Sequence, residues 1–264
     1  MAGIPCWQVD AFTDHAFGGN PAAVCWLEQE AETAWMQSVA AEMNLSETAF
    51  VRRLPDSMEL RWFTPTIEVD LCGHATLATA RVLWSEGLAP KDQPLRFQTR
   101  SGLLTCRLSG ELIELDFPAT PPIQIDVSQE LIDALGITPL YVGRSKFYQL
   151  AIVDSPATVR AVKPDFRKLA EVPTLGVIVS AASSAPPYDF ESRFFAPRMG
   201  VDEDPVCGSA HCCLTPFWSQ KLGKKELLAY QASARGGILH LRWEGERVIL
   251  GGQGVVVWRG ECLC

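Results

Sequence analysis

The sequence predicts an α+β protein of two similar, pseudo-symmetric domains, each a curled and mostly antiparallel sheet wrapped around one buried helix. Three observations carry that expectation. Short β-like runs dominate, a long motif occurs twice about half the chain apart, and the helix after each copy is apolar on every side.

The β-like runs are residues 7–12, 22–27, 48–53, 58–63, 103–108 and 112–117 in the first half. In the second half they are 147–153, 176–180, 190–195, 238–243, 248–250 and 255–258, and Gly, Pro, Asp and Ser clusters punctuate them all. Helical patterns are few: residues 30–43, 73–86 with Gly87 as a stop signal, 129–135 and 209–222. Strands without regularly interleaved helices argue against a parallel βαβ architecture. The Pro-rich stretch 117–122 falls near the midpoint and predicts domains 1–118 and 119–264, with the last strand free to cross back to the first domain.

The motif explains why a helix should sit inside each sheet. In the first copy Arg61-Trp62-Phe63-Thr64-Pro65 leads through Glu68 to Cys72-Gly73-His74-Ala75. In the second, Arg193-Phe194-Phe195-Ala196-Pro197 leads through Glu203 to Cys207-Gly208-Ser209-Ala210. Apolar residues from Ala75 to Trp84, and from Ala210 to Trp218, cover all sides of the two following helices rather than a stripe. Such helices must be buried all round, and in a strand-rich half-chain the wrapper is a curled sheet. Pro216 removes one backbone donor and is expected to kink the second helix.

Composition narrows the function. The 264 residues are 47% hydrophobic and 20% charged, which excludes collagenous, coiled-coil and disordered chains. A net charge of -8 without any Lys/Arg block argues against a nucleic-acid partner. No apolar run approaches the roughly 20 residues that span a bilayer, and residues 1–12 show no signal-peptide pattern. The nine cysteines are odd in number, with Cys212 and Cys213 adjacent. Reduced thiols in a cytoplasmic protein are therefore expected, most of them small buried hydrophobes.

Cys72 and Cys207 are the expected exceptions. Each stands where a buried helix begins, beside backbone N–H groups without intrahelical partners and a partial positive charge. Gly73 and Gly208 let a ligand approach the backbone. Two such ends facing each other across a cleft would bind a small carboxylate, and the same field would lower a cysteine pKa. A tight turn with an inert thiol is the plainer reading of either one alone.

The strings GGNPAAVC (18–25), NLSETAFV (44–51), RWFTPTIEVDLCGHATLATA (61–80) and RFFAPRMGVDEDPVCGSAH (193–211) resemble the phenazine-biosynthesis PhzF-like family, as do WSQKLGKK (218–225) and RGG (235–237). That resemblance implies the diaminopimelate-epimerase fold and an isomerase that needs no metal or organic cofactor and moves a proton on a small carboxylate-bearing substrate. It implies Glu47 as the acid/base group, with His74 and Asp204 as the other polar residues around the substrate. It further implies that Asn20, Ser46, Gly73, Gly208 and Ser209 lie at substrate-holding positions, and that the protein is a homodimer. A carboxylate desolvated between domains can take a proton from carbon and return it elsewhere, while backbone donors stabilise the developing charge.

One position departs from the pattern: Cys207 stands where the family commonly has Thr. Racemases and epimerases of the same fold use one cysteine at each helix start, so a two-thiol epimerase using Cys72 and Cys207 is the second reading. A non-catalytic binding protein is the third. Among lesser candidates, Arg235-Gly236-Gly237 reads as a hairpin turn, and His15 and His240 read as structural or solvated. A zinc site from Cys72, His74, Cys207 and His211 lacks any supporting CxxC or HExxH spacing, so no metal is expected.

Overall fold

A computed structural model describes residues 3–264, which form eighteen strands and six α-helices. In chain order these are β1 (Ile4–Ala11), β2 (Asn20–Leu27), α1 (Thr33–Met43), β3 (Glu47–Arg53), β4 (Met58–Phe63), β5 (Glu68–Val69), α2 (Gly73–Ser85), β6 (Leu95–Thr99), β7 (Gly102–Ser109) and β8 (Leu112–Pro118). There follow β9 (Ile123–Gln124), α3 (Gln129–Leu135), β10 (Tyr141–Arg144), β11 (Tyr148–Ile152), α4 (Pro156–Ala161), α5 (Phe166–Glu171), β12 (Gly176–Ala182) and β13 (Phe190–Ala196). The last are β14 (Val201–Asp204), α6 (Gly208–Leu222), β15 (Glu226–Gln231), β16 (Gly237–Glu244), β17 (Arg247–Gly252) and β18 (Gly254–Cys262). The chain divides into one unit of residues 1–116 with 251–264 and a second of residues 117–250.

The two units repeat one strand plan. In the first, β18 pairs antiparallel with β1, and β1 antiparallel with β2. The pairings β2–β3, β3–β4, β4–β6 and β6–β7 then run parallel, antiparallel, parallel and antiparallel. In the second, β9 pairs antiparallel with β10 and β10 with β11. The pairings β11–β12, β12–β13, β13–β15 and β15–β16 follow the same alternation. In both, a short strand (β5 or β14) folds back antiparallel on its predecessor just before the Cys-Gly helix. The duplicated motif therefore reflects a duplicated topology.

The shared residues of the motif have a mechanical task. Arg61 grips Glu68 with two hydrogen bonds of 2.8 Å, and its guanidinium lies over Phe63. Arg193 does the same to Glu203, at 2.7 and 2.8 Å, and lies over Phe195. Each fork clamps the fold-back strand that delivers the chain to its helix start. The helices are enclosed as their composition requires: in α2 every residue from His74 to Trp84 except Arg81 is buried, and in α6 every residue from Ala210 to Ser219. On the opposite sheet faces lie α1 in the first unit and α3, α4 and α5 in the second. Hence β11 and most of β12 are buried on both faces, which gives runs of buried, mostly apolar residues in place of alternation. The six-residue helices α4 and α5 carry no readable period; their sequence signals are the capping side chains of Ser155 and Asp165.

Pro216 does not end its helix, which continues to Leu222. The carbonyl it deprives of a partner, that of Cys212, instead accepts the N–H of Thr120 at 3.0 Å. A segment crossing the helix thus supplies the missing donor.

Candidate active site

Three sequence-predicted residues of the first unit meet. Glu47 is the first residue of β3, directly after the turn that ends α1 at the left-handed Asn44. Register places Glu47 opposite Ala22, and alternation turns it to the α2 face, away from Phe50 on the α1 face. There its Oε2 lies 3.3 Å from His74 Nε2, with the side chains 19% and 7% exposed. The other ring nitrogen, Nδ1, lies 3.4 Å from Cys72 Sγ. Thiol, imidazole and carboxylate form one compact cluster.

Burial lowers the His74 pKa to about 3, so the ring is neutral. With the ring neutral, Nδ1 lies within reach of the Cys72 thiol, and Nε2 faces the Glu47 carboxylate at 3.3 Å without completing a hydrogen bond to it. The same three side chains each offer a metal ligand atom, all within 4.8 Å of one another. The carboxylate and the thiol each approach a different nitrogen of the imidazole, whereas a metal ion takes one nitrogen of a ring. The N-cap position of α2 is held by Cys72, whose side chain makes no capping bond; its carbonyl accepts from Thr76 at 2.5 Å.

Asn20, the buried first residue of β2, follows Gly18-Gly19. A Cβ on Gly19, at φ +60°, would stand 2.1 Å from the Ala11 carbonyl oxygen, so only glycine makes this turn. Two bulky residues near the turn, Phe12 and Phe17, also hold positive φ, and Asp10 accepts the Phe17 N–H at 2.7 Å. Sequence reasoning missed this strained loop. Ser46 is half-buried immediately before Glu47.

In the second unit, Asp204 ends β14, three residues before Cys207 at the N-cap of α6. The expectation of a lowered thiol pKa is corrected here. Burial pushes the Cys207 thiol well above its ordinary value, and the Asp204 carboxylate adds to the rise by charge and hydrogen bonding. Cys207 is therefore a thiol and a proton donor at neutral pH. Its sulfur lies 3.2 Å from Ser209 Oγ, which lies 2.7 Å from the Tyr148 hydroxyl. Gln231, fully buried, accepts the Cys207 backbone N–H at 2.9 Å and donates to the Asp204 carbonyl at 2.7 Å. Sequence reasoning named neither Tyr148 nor Gln231; the one local signal is a polar side chain ending an otherwise apolar strand run.

Gly73 and Gly208 are the first residues of their helices, and a Cβ on Gly208 would come within 3.2 Å of the Leu250 side chain. The remaining histidines take structural places. His211 is fully buried, donates from Nδ1 to the Cys207 carbonyl at 2.8 Å and stacks on Phe190. His15 and His240 are exposed, and Arg235 lies in the β15–β16 turn.

Residues 9–260 match the family described as phenazine biosynthesis-like protein. The chain belongs to that family. An uncharacterised isomerase of Halalkalibacterium halodurans is 54% identical over the full length of both chains. A PhzF-family crystal structure from Enterococcus faecalis is 41% identical, covers 99% of this chain and all of its own, and superposes with a TM-score of 0.96. A predicted epimerase from Pseudomonas aeruginosa, 20% identical and covering 99% of each chain, shares the fold with a TM-score of 0.74. Membership in the phenazine biosynthesis-like family, with relatives named isomerases, makes this protein an isomerase. No helix among the described residues is long and apolar enough to cross a membrane.

Proposed function

We propose that the protein is a cofactor-independent isomerase that moves a proton on a small carboxylate-bearing substrate, with Glu47 as the proton carrier. The observation that supports this most is the cluster in which His74 meets the Glu47 carboxylate at 3.3 Å and the Cys72 sulfur at 3.4 Å. In this reading the Glu47 carboxylate takes a proton from a substrate carbon and returns it at a second carbon. Neutral His74 stands beside the carboxylate, with Cys72 on its other nitrogen, as the polar surroundings of Glu47 when its charge changes. Such a placed acid/base group contributes about 10²–10⁴-fold to rate. Asn20, Ser46 and Gly73 serve to hold substrate in the first unit; Asp204, Cys207 and Ser209, with the first amides of α6, are the substrate-holding groups of the second.

Incorporation of solvent deuterium into a substrate found by thermal-shift screening of small carboxylic acids tests this reading. Glu47→Gln should lower exchange by about 10²–10⁴-fold, whereas Cys207→Ser should leave most of it. The reverse order of losses would favour epimerisation by Cys72 and Cys207, and a panel in which no acid binds would favour a non-catalytic binding protein. Sedimentation equilibrium tests the homodimer, and localisation by fractionation tests a cytoplasmic location, both implied by the family resemblance.

A further inference from the structure

Away from Glu47, on the α1 face of the first unit's sheet, four thiols gather. Cys6 on β1 and Cys25 on β2 are directly opposed in antiparallel register, fully buried, with sulfurs 3.1 Å apart. On the other side of β1, the register pairs Ile4 with Cys262 of β18, so alternation puts Cys262 on the face of Cys6. Cys262 packs against the cluster that contains Cys6 and Cys25, and its backbone N–H donates to the Cys6 sulfur. Two residues on, the exposed Cys264 brings its sulfur to 3.2 Å from that of Cys262. Trp35 of α1 fixes this end by donating its Nε1–H to the Cys264 carbonyl at 3.2 Å. Two touching sulfur pairs thus lead from solvent into the core.

We infer that these four cysteines form a thiol–disulfide exchange site, in which the exposed Cys262–Cys264 pair takes up a disulfide from a low-molecular-weight disulfide and passes it to Cys6–Cys25. The chemistry balances at each step. The Cys264 thiolate attacks one sulfur of the small disulfide and expels a small thiolate. Cys262 then attacks Sγ of Cys264, forming the Cys262–Cys264 bond and expelling the second small thiolate. The Cys6 thiolate next attacks Sγ of Cys262, with Cys264 leaving. Cys25 finally attacks Sγ of Cys6, with Cys262 leaving. Cys262 and Cys264 recover the two protons that Cys6 and Cys25 give up. The net result is one protein disulfide and two small thiols.

The division of labour follows from the surroundings. Cys6 is the better nucleophile, because the Cys25 thiol and the Cys262 N–H both stabilise its thiolate, whereas Cys25 is held protonated by Cys6 and by burial. Directly opposed residues of antiparallel strands have Cβ atoms about 4.5–5.5 Å apart, close to what a disulfide needs. A bridge between Cys262, the last residue of β18, and Cys264 just beyond it is exposed and therefore labile, so exchange runs inward.

Treating the intact folded protein with oxidised glutathione, quenching with N-ethylmaleimide at intervals and mapping peptides by mass spectrometry tests the inference. The expected course is a Cys262–Cys264 bridge first, then a Cys6–Cys25 bridge, while buried Cys106 stays alkylatable only after unfolding. Cys262→Ser should slow Cys6–Cys25 bridging by roughly tenfold or more through lost access, with circular dichroism checking that the variant folds. The inference fails if Cys6 and Cys25 remain thiols in wild-type protein whose Cys262–Cys264 pair is fully oxidised. It also fails if the folded Cys262→Ser variant bridges them at the wild-type rate.

Discussion

Acid should destabilise the second unit through a single imidazole. His211 has no exposed surface and one direct hydrogen bond to the Cys207 carbonyl, and burial lowers its pKa from 6.5 to about 4. The folded state keeps the ring neutral, whereas the unfolded chain protonates it near its ordinary value. The unfolded state therefore binds the extra proton, and stability present above pH 6.5 is lost as pH falls through that value toward 4. Carrying both pKa values through the linkage relation, the step from pH 6.5 to about pH 5 costs about 1.6 kcal/mol, and continuing to pH 4 brings the loss to about 2.6 kcal/mol. His211→Gln lacks this titration. Carboxylates and His74 contribute equally to wild type and variant, so they cancel in the comparison. Urea unfolding at a series of pH values, followed by tryptophan fluorescence, should show the variant losing about 1.6 kcal/mol less than wild type between pH 6.5 and 5. Equal losses would refute the reasoning.

The two arginine forks should differ in cost. Glu68 retains a second partner, Arg100 at 3.0 Å, when Arg61 is removed, while Arg193 also donates to the Val162 carbonyl at 2.6 Å. Arg193→Met is expected to destabilise by about 2–3 kcal/mol, below the full figure for a buried pair because Glu203 is partly exposed. Arg61→Met should cost about half of that, and equal urea midpoints for the two variants would contradict the assigned partners. Thr120→Pro removes the donor that satisfies the Cys212 carbonyl and should cost about 1–3 kcal/mol. Adding Pro216→Ala should recover most of it by restoring the helical donor; a double-mutant cycle with no coupling would disprove the exchange of partners.

How far each feature could be read from the chain depends on its span. The duplicated topology was legible because each copy carries Arg, aromatic, Glu and Cys-Gly in one order, and the arginine forks keep that order by gripping a glutamate seven or ten residues on. Both enclosed helices were legible because burial on all sides removes the polar stripe, a pattern written within one element. The helix starts at Gly73 and Gly208 followed from the same local signal, whereas the state of the Cys207 thiol did not. Helix-end charge argues for a lowered pKa, and only the enclosure of the sulfur beside Asp204 reverses the direction.

What sequence alone determined, then, is the set of local commitments: strands, enclosed helices, the repeat and the identity of the groups at its two helix starts. Tertiary structure decided which distant groups touch. Glu47 reaches His74 because β3 begins in register with Ala22 and turns that side chain toward α2. Gln231 reaches Cys207 from a strand with no motif of its own, and four thiols from three strands and the segment after them converge under α1. Periodicity records how each residue faces the core, but contacts between elements follow from strand register and helix packing, which long-range burial sets only when the whole chain folds.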